Sequence, residues 1–115
     1  MYALFIVLNE VDYLDTVLAK FVEIGVSGAT ILDSQGMAGA IVDRNLPLFG
    51  SLKTLLDGSR PFNKTIFTVI DTEELLNKTI SVVEEVTKDI TKPGVGMMFT
   101  VPVGKVHYLG KKGQS

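Results

Sequence analysis

The chain has 115 residues, 46% of them apolar, no cysteine and a formal net charge of −2. That length fits one domain able to bury a core, and the missing thiols exclude a disulfide framework, a thiolate zinc site and a cysteine nucleophile. The acidic balance disfavours nucleic acid, which selects basic faces, and the lysines gathered near the C-terminus (Lys105, Lys111, Lys112) have no aromatic ladder between them.

No N-terminal stretch has the order of a signal peptide. No apolar run reaches the ~20 residues that cross a bilayer. A soluble, cytoplasmic protein without membrane insertion is therefore expected.

Residues 2–8 (YALFIVL) form a continuous apolar run of strand length, which predicts a central strand buried on both faces. Leu14, Val17, Leu18, Phe21 and Val22 then recur at helical spacing. Asp12 and Asp15 are candidate caps and Gly25 a left-handed stop, so a helix is expected over 12–24. Residues 29–34 (ATILDS) predict a second strand, and residues 63–70 (NKTIFTVI), rich in β-branched side chains, a third. Asp71 with Glu74 reads as a capping box ahead of Leu75, Leu76, Thr79, Ile80, Val83 and Val86, the apolar face of a second helix. Pro93, Gly94, Val95 and Gly96 make a loop. Residues 97–103 predict a fourth strand, 105–109 a short fifth, and 110–115 a flexible tail.

The span 36–62 is the unusual part. A loop of that length inside a small domain is uncommon unless it is functional or disordered, and this one is apolar. Leu48, Phe49, Leu52, Leu55 and Leu56 share one helical face behind Pro47. A short helix over 48–57 is expected, closed by Gly58, with an apolar face for a partner.

The order β-α-β, insert, β-α-β predicts an α+β, ferredoxin-like βαββαβ domain over 1–109. It would have an antiparallel sheet, both helices on one face and a partly helical insert between strands 2 and 3. Strands this apolar need cover on the other face as well, which points to subunit packing.

Gly25, Ser27, Gly28 and Thr30, followed by Gly36, Met37, Ala38 and Gly39, resemble the second-strand entry and loop base of the PII signal-transduction (nitrogen regulatory protein) family. Gly94, Val95 and Gly96 stand where that family has its phosphate loop, and residues 99–103 (FTVPV) match the strand after it. The similarity runs through nearly the whole chain in order. It implies a homotrimer with ligand clefts between subunits, a small-molecule effector such as ATP, ADP or AMP, often with 2-oxoglutarate, and a long loop that docks on a target enzyme or membrane transporter. The chain is a divergent likeness. Val95 and Met97 replace the loop aspartate and lysine, Tyr108 and Gly110 fall where two phosphate-gripping arginines would be, and the insert has no tyrosine.

The expected site is Thr30, Gly36, Ala38, Gly39, Lys64, Gly94, Val95, Gly96 and Lys105. In it glycine-rich backbone would approach an anion, and Thr30 would contact a base. Leu48, Phe49, Leu52, Leu55 and Leu56 are the expected partner-binding residues. Each has a plainer reading: Gly94 to Gly96 as a turn, Thr30 as a strand residue, the lysines as surface charges. His107 alone is a poor metal site, and no residues form a recognisable catalytic set, so no enzyme is expected. Two alternatives stand beside the regulator: a ligand-free structural or interaction module, and a divalent-metal-tolerance-like protein.

Overall fold

A computed structural model describes residues 1–44, 62–90 and 94–110. Strand β1 (Tyr2–Leu8) leads through a single 3-10 turn (Val11–Tyr13) into helix α1 (Leu14–Ile24). Strand β2 (Thr30–Ser34), helix α2 (Met37–Asp43), strand β3 (Asn63–Ile70), helix α3 (Glu73–Thr87) and strand β4 (Gly96–Pro102) follow. The four strands form one antiparallel sheet in the order β2-β3-β1-β4. This is the ferredoxin-like split βαβ arrangement, with α1 and α3 on one face.

Alternation sorts the side chains. Leu4, Ile6 and Leu8 of β1 share a face with Ile66, Thr68 and Ile70 of β3. This face meets Val17 and Phe21 of α1, and Leu76 and Val83 of α3, to close the core. Each fully buried aliphatic side chain contributes about 1.5–3 kcal/mol relative to exposure.

The helix ends follow sequence at Gly25 and depart from it at both N-termini. Gly25 takes the left-handed cap at φ 98°. The Val26 N–H then reaches back to the Phe21 carbonyl at 2.8 Å, and Val26 itself is buried, as in a Schellman ending. At the other end of α1, neither Asp12 nor Asp15 caps: the N-cap position is Tyr13, which makes no side-chain cap hydrogen bond. The cap of α3 is Thr72, whose hydroxyl accepts from the Leu75 N–H at 3.1 Å, in place of the expected Asp71. Thr72 is extended, as N-caps typically are, and Glu73 and Glu74 fill the first turn beside the positive end of the helix.

Three further expectations change. Residues 37–43, expected as part of the 36–62 loop with its base at Gly36 to Gly39, form α2, in which the Ala40 N–H donates to the Gly36 carbonyl at 2.8 Å. The fourth strand begins at Gly96 and ends at Pro102. Residues 105–109 form no strand, because the segment after Val103 leaves the edge of the sheet to line a cleft with Val106 and Tyr108. The expected helix over 48–57 and the lysine-rich end of the tail lie outside the described residues.

Candidate functional site

Two clefts open at opposite ends of the sheet. The first, about 630 Å³, lies where the α1–β2 turn (Gly25 to Thr30) faces the β3–α3 junction (Ile70 to Thr72), with Tyr108 on its rim. Its floor is tied down by Thr68, whose Oγ1 donates to the Gly28 carbonyl across 40 residues of sequence. Ser27, Thr30 and Thr72 are exposed hydroxyls on its wall. Asp71 beside them, with the Thr72 cap, makes this part of the rim polar with one carboxylate. Such a lining suits a neutral planar group that hydrogen-bonds at its edge better than it suits an anion.

The second cleft, about 350 Å³, lies between the end of β1, the C-terminal part of α3 and the loop that opens β4. Leu8, Val83, Ile90 and Met98 make it apolar, and Gly94, Val95 and Gly96 form its lip. Gly94 has φ 79°, a conformation that disfavours residues with a Cβ. Gly96 is required for another reason: a Cβ there would come within 2.3 Å of the Val7 carbonyl oxygen. Both loop carbonyls turn toward Asn9, whose main-chain N–H donates to Val95 O at 2.8 Å and whose Nδ2 donates to Gly94 O at 2.7 Å. Because the peptides are trans, the N–H groups of Val95 and Gly96 point away from Asn9. Adjacent amides presented in this way are the elements from which backbone anion cradles are made.

The sequence-predicted residues divide between these places. Thr30 lines the first cleft, and Gly94, Val95 and Gly96 line the second. Lys64 stands in one cross-strand row with Leu8 and Gly96, two strand spacings or about 10 Å from the glycine. Its ammonium pairs with the Asp33 carboxylate on β2. Gly36 leads into α2, which holds Ala38 and the buried Gly39 in helical backbone. Lys105 is exposed. Leu48, Phe49, Leu52, Leu55 and Leu56 lie outside the described residues.

A single chain does not unite Thr30 with Gly94 to Gly96. Thr30 is on edge strand β2, Gly96 on the opposite edge strand β4, and β3 and β1 run between them. Among the described residues no Lys or Arg lines either cleft, and no three His, Asp or Glu side chains converge as metal ligands.

The remaining feature is the sheet face away from α1 and α3. Phe5 stacks on Phe67 at 5.6 Å and on Phe99 at 5.0 Å between ring centroids, an aromatic ladder across three strands. Leu32, Val69, Met97, Phe99 and Val101 on this face are 39–59% exposed.

No protein-family model matches the chain, and no curated protein matches it at a significant level. Among the described residues no helix is long and apolar enough to cross a membrane. Sequence reasoning missed Asn9, Asn63 and Ser34, which join the insert ends to the glycine loop. Their partners are 29 to 85 residues away, and a lone Asn or Ser at a strand end otherwise signals only a turn.

Proposed function

We propose that the chain is a PII-like regulatory protein, a cytoplasmic homotrimer that binds a small anionic metabolite between subunits and signals to a partner protein through its 36–62 insert. The observation that carries this reading is the exposed aromatic face centred on Phe5, which calls for copies of the chain to cover it. Packing copies through that face would bring the β2 edge of one subunit beside the β4 edge of another. The hydroxyl-lined cleft around Thr30 and the amide-lined lip at Gly94 to Gly96 would then become two halves of one site. The first half suits a planar base and the second a phosphate chain, so an adenine nucleotide is the ligand that fits both. Lys105 is exposed beside Val106 of the first cleft, at the end of β4 away from Gly96, so it would serve the phosphate half only across a subunit boundary.

A second reading, a ligand-free interaction module, is favoured by the absence of Lys and Arg from both cleft linings among the described residues. Thermal unfolding with ATP, ADP, AMP and 2-oxoglutarate, each with and without magnesium, separates the two. A ligand at 100 times its dissociation constant adds about 2.7 kcal/mol of stability, which a melting curve detects. The nucleotide reading expects a selective upward shift that disappears in Gly94→Asn, since Asn tolerates the left-handed backbone and places a side chain in the phosphate half. A flat panel from folded protein transfers the assignment to the interaction module.

A further inference from the structure

Ser34 ends β2 and Asn63 opens β3, so together they form the neck from which the insert departs. They are register partners in the sheet. Ser34 Oγ donates to Asn63 Oδ1 and also meets Thr65 Oγ1 at 2.7 Å. Asn63 Nδ2 donates to Asn9 Oδ1 at 2.9 Å, and Asn9 Nδ2 donates to the Gly94 carbonyl at 2.7 Å. Asn63 is 6% exposed, so its amide must find protein partners and cannot exchange them freely for water.

The direction of every bond in this chain is forced from one end. The Gly94 carbonyl can only accept, so Asn9 must turn its NH₂ toward the loop and its Oδ1 toward Asn63. Asn63 must then present its NH₂ to Asn9 and its Oδ1 to Ser34. Ser34 has one proton and gives it to Asn63, which leaves Thr65 to donate to Ser34. The series is a one-way relay: Thr65 to Ser34 to Asn63 to Asn9 to Gly94. Two amides in series cannot reverse singly, because either flip would set oxygen against oxygen or NH₂ against NH₂.

We infer that this relay couples the orientation of the Gly94 peptide to the Ser34–Asn63 neck of the insert, as a built-in two-state device. With the Gly94 carbonyl turned to Asn9, the relay is complete and the neck is clamped. Rotation of that peptide, at a residue whose left-handed glycine backbone makes rotation accessible, withdraws the terminal acceptor and leaves Asn9 and Asn63 free to reorient. Chained hydrogen bonds polarise one another, so loss at one end weakens the links beyond it. The inference uses only these hydrogen bonds and holds whether or not a nucleotide binds.

The test uses the full-length protein without ligand, with ¹⁵N-resolved amide exchange and side-chain NH₂ resonances as readouts. The Asn9 main-chain N–H, held by Val95 O, reports the loop end. Ser34→Ala removes the donor to Asn63 at the far end. The expected result is exchange at the Asn9 N–H roughly fivefold to tenfold faster, equivalent to one net hydrogen bond, and shifted Asn9 and Asn63 NH₂ signals, while Leu4 and Ile66 amides stay protected. Thr65→Val, which keeps a β-branched strand residue, should move the same signals in the same direction by a smaller factor. An unchanged Asn9 amide in both variants overturns the coupling. So does a uniform rise across the sheet, which would mean general destabilisation instead of a directed link.

Discussion

The two faces of the sheet are made from the same strands and are nearly equally apolar, yet they have opposite fates. On one face Leu4, Ile6 and Ile66 are at most 2% exposed beneath α1 and α3. On the other, Phe99 and Met97 are 42% and 59% exposed, with the Phe67–Phe5–Phe99 stack as their centre. Among the described residues, α1 and α3 turn their apolar stripes to one face. The described residues leave the second face partly exposed. That exposed face is what the proposed self-association would cover, and each cleft borders one of its edges.

The largest test of the contrast is on the covered side. Ile66→Ala deletes a side chain that is 0% exposed at the centre of the core. It should lower the unfolding free energy by about 2–5 kcal/mol, the range for large-to-small changes at packed sites, read from urea denaturation. A loss under ~1 kcal/mol would mean that the helix face is not the tight layer described above.

That covered face was also the part most legible in the sequence. β1 came from its continuous apolar run, β3 from its β-branched residues and α1 and α3 from helical spacing, and β3 has the expected bounds at Asn63 and Ile70. The run suggested burial of β1 on both faces, whereas Phe5 and Val7 are only half-buried. What escaped was local or distant. Helix α2 is a single short piece containing Gly39, which lowers helix propensity, so its pattern reads as loop. Asp71 and Thr72 are both acceptable caps, and only the extended backbone at Thr72 decides between them. Residues 105–109 alternate like a strand but have no neighbour to pair with, and Val106 and Tyr108 turn to the first cleft. For the site, the glycines at 94 and 96 were visible while the need for each was not: one depends on its own φ and the other on the approach of β1. The separation of Thr30 from Gly96 follows from strand order alone and was hidden in a linear reading.

The open face is tested by Phe99→Glu. The ring is already partly in water, so the folded chain should tolerate the change. A charge placed in the aromatic ladder should instead weaken self-association by roughly 30-fold or more, the effect of losing one interface anchor. Light scattering across a concentration series measures it, with the parent protein giving the mass of the assembly. A parent that remains a single chain at high micromolar concentration would show that the face is not covered by its own copies and would point to a different protein as its cover.

The smallest test sharpens the boundary between the covered face and the first cleft. Thr68 is a buried polar residue on the helix side of β3: it is 4% exposed, and its hydroxyl donates to the Gly28 carbonyl of the α1–β2 turn. Thr68→Val keeps the shape and opens no cavity. It removes the donor, while Gly28 is exposed and its oxygen can take water instead. The cost should therefore be that of one net hydrogen bond, about 1 kcal/mol, and not the larger penalty of a stranded buried acceptor. Urea unfolding should show a lowered midpoint with an unchanged slope. A loss of about 3 kcal/mol would mean that the turn cannot hydrate its carbonyl and that Thr68 holds the cleft wall in place. No loss would mean that the turn packs on β3 through Val26 alone, and that the wall carrying Ser27 and Thr30 is held by apolar contact rather than by this bond.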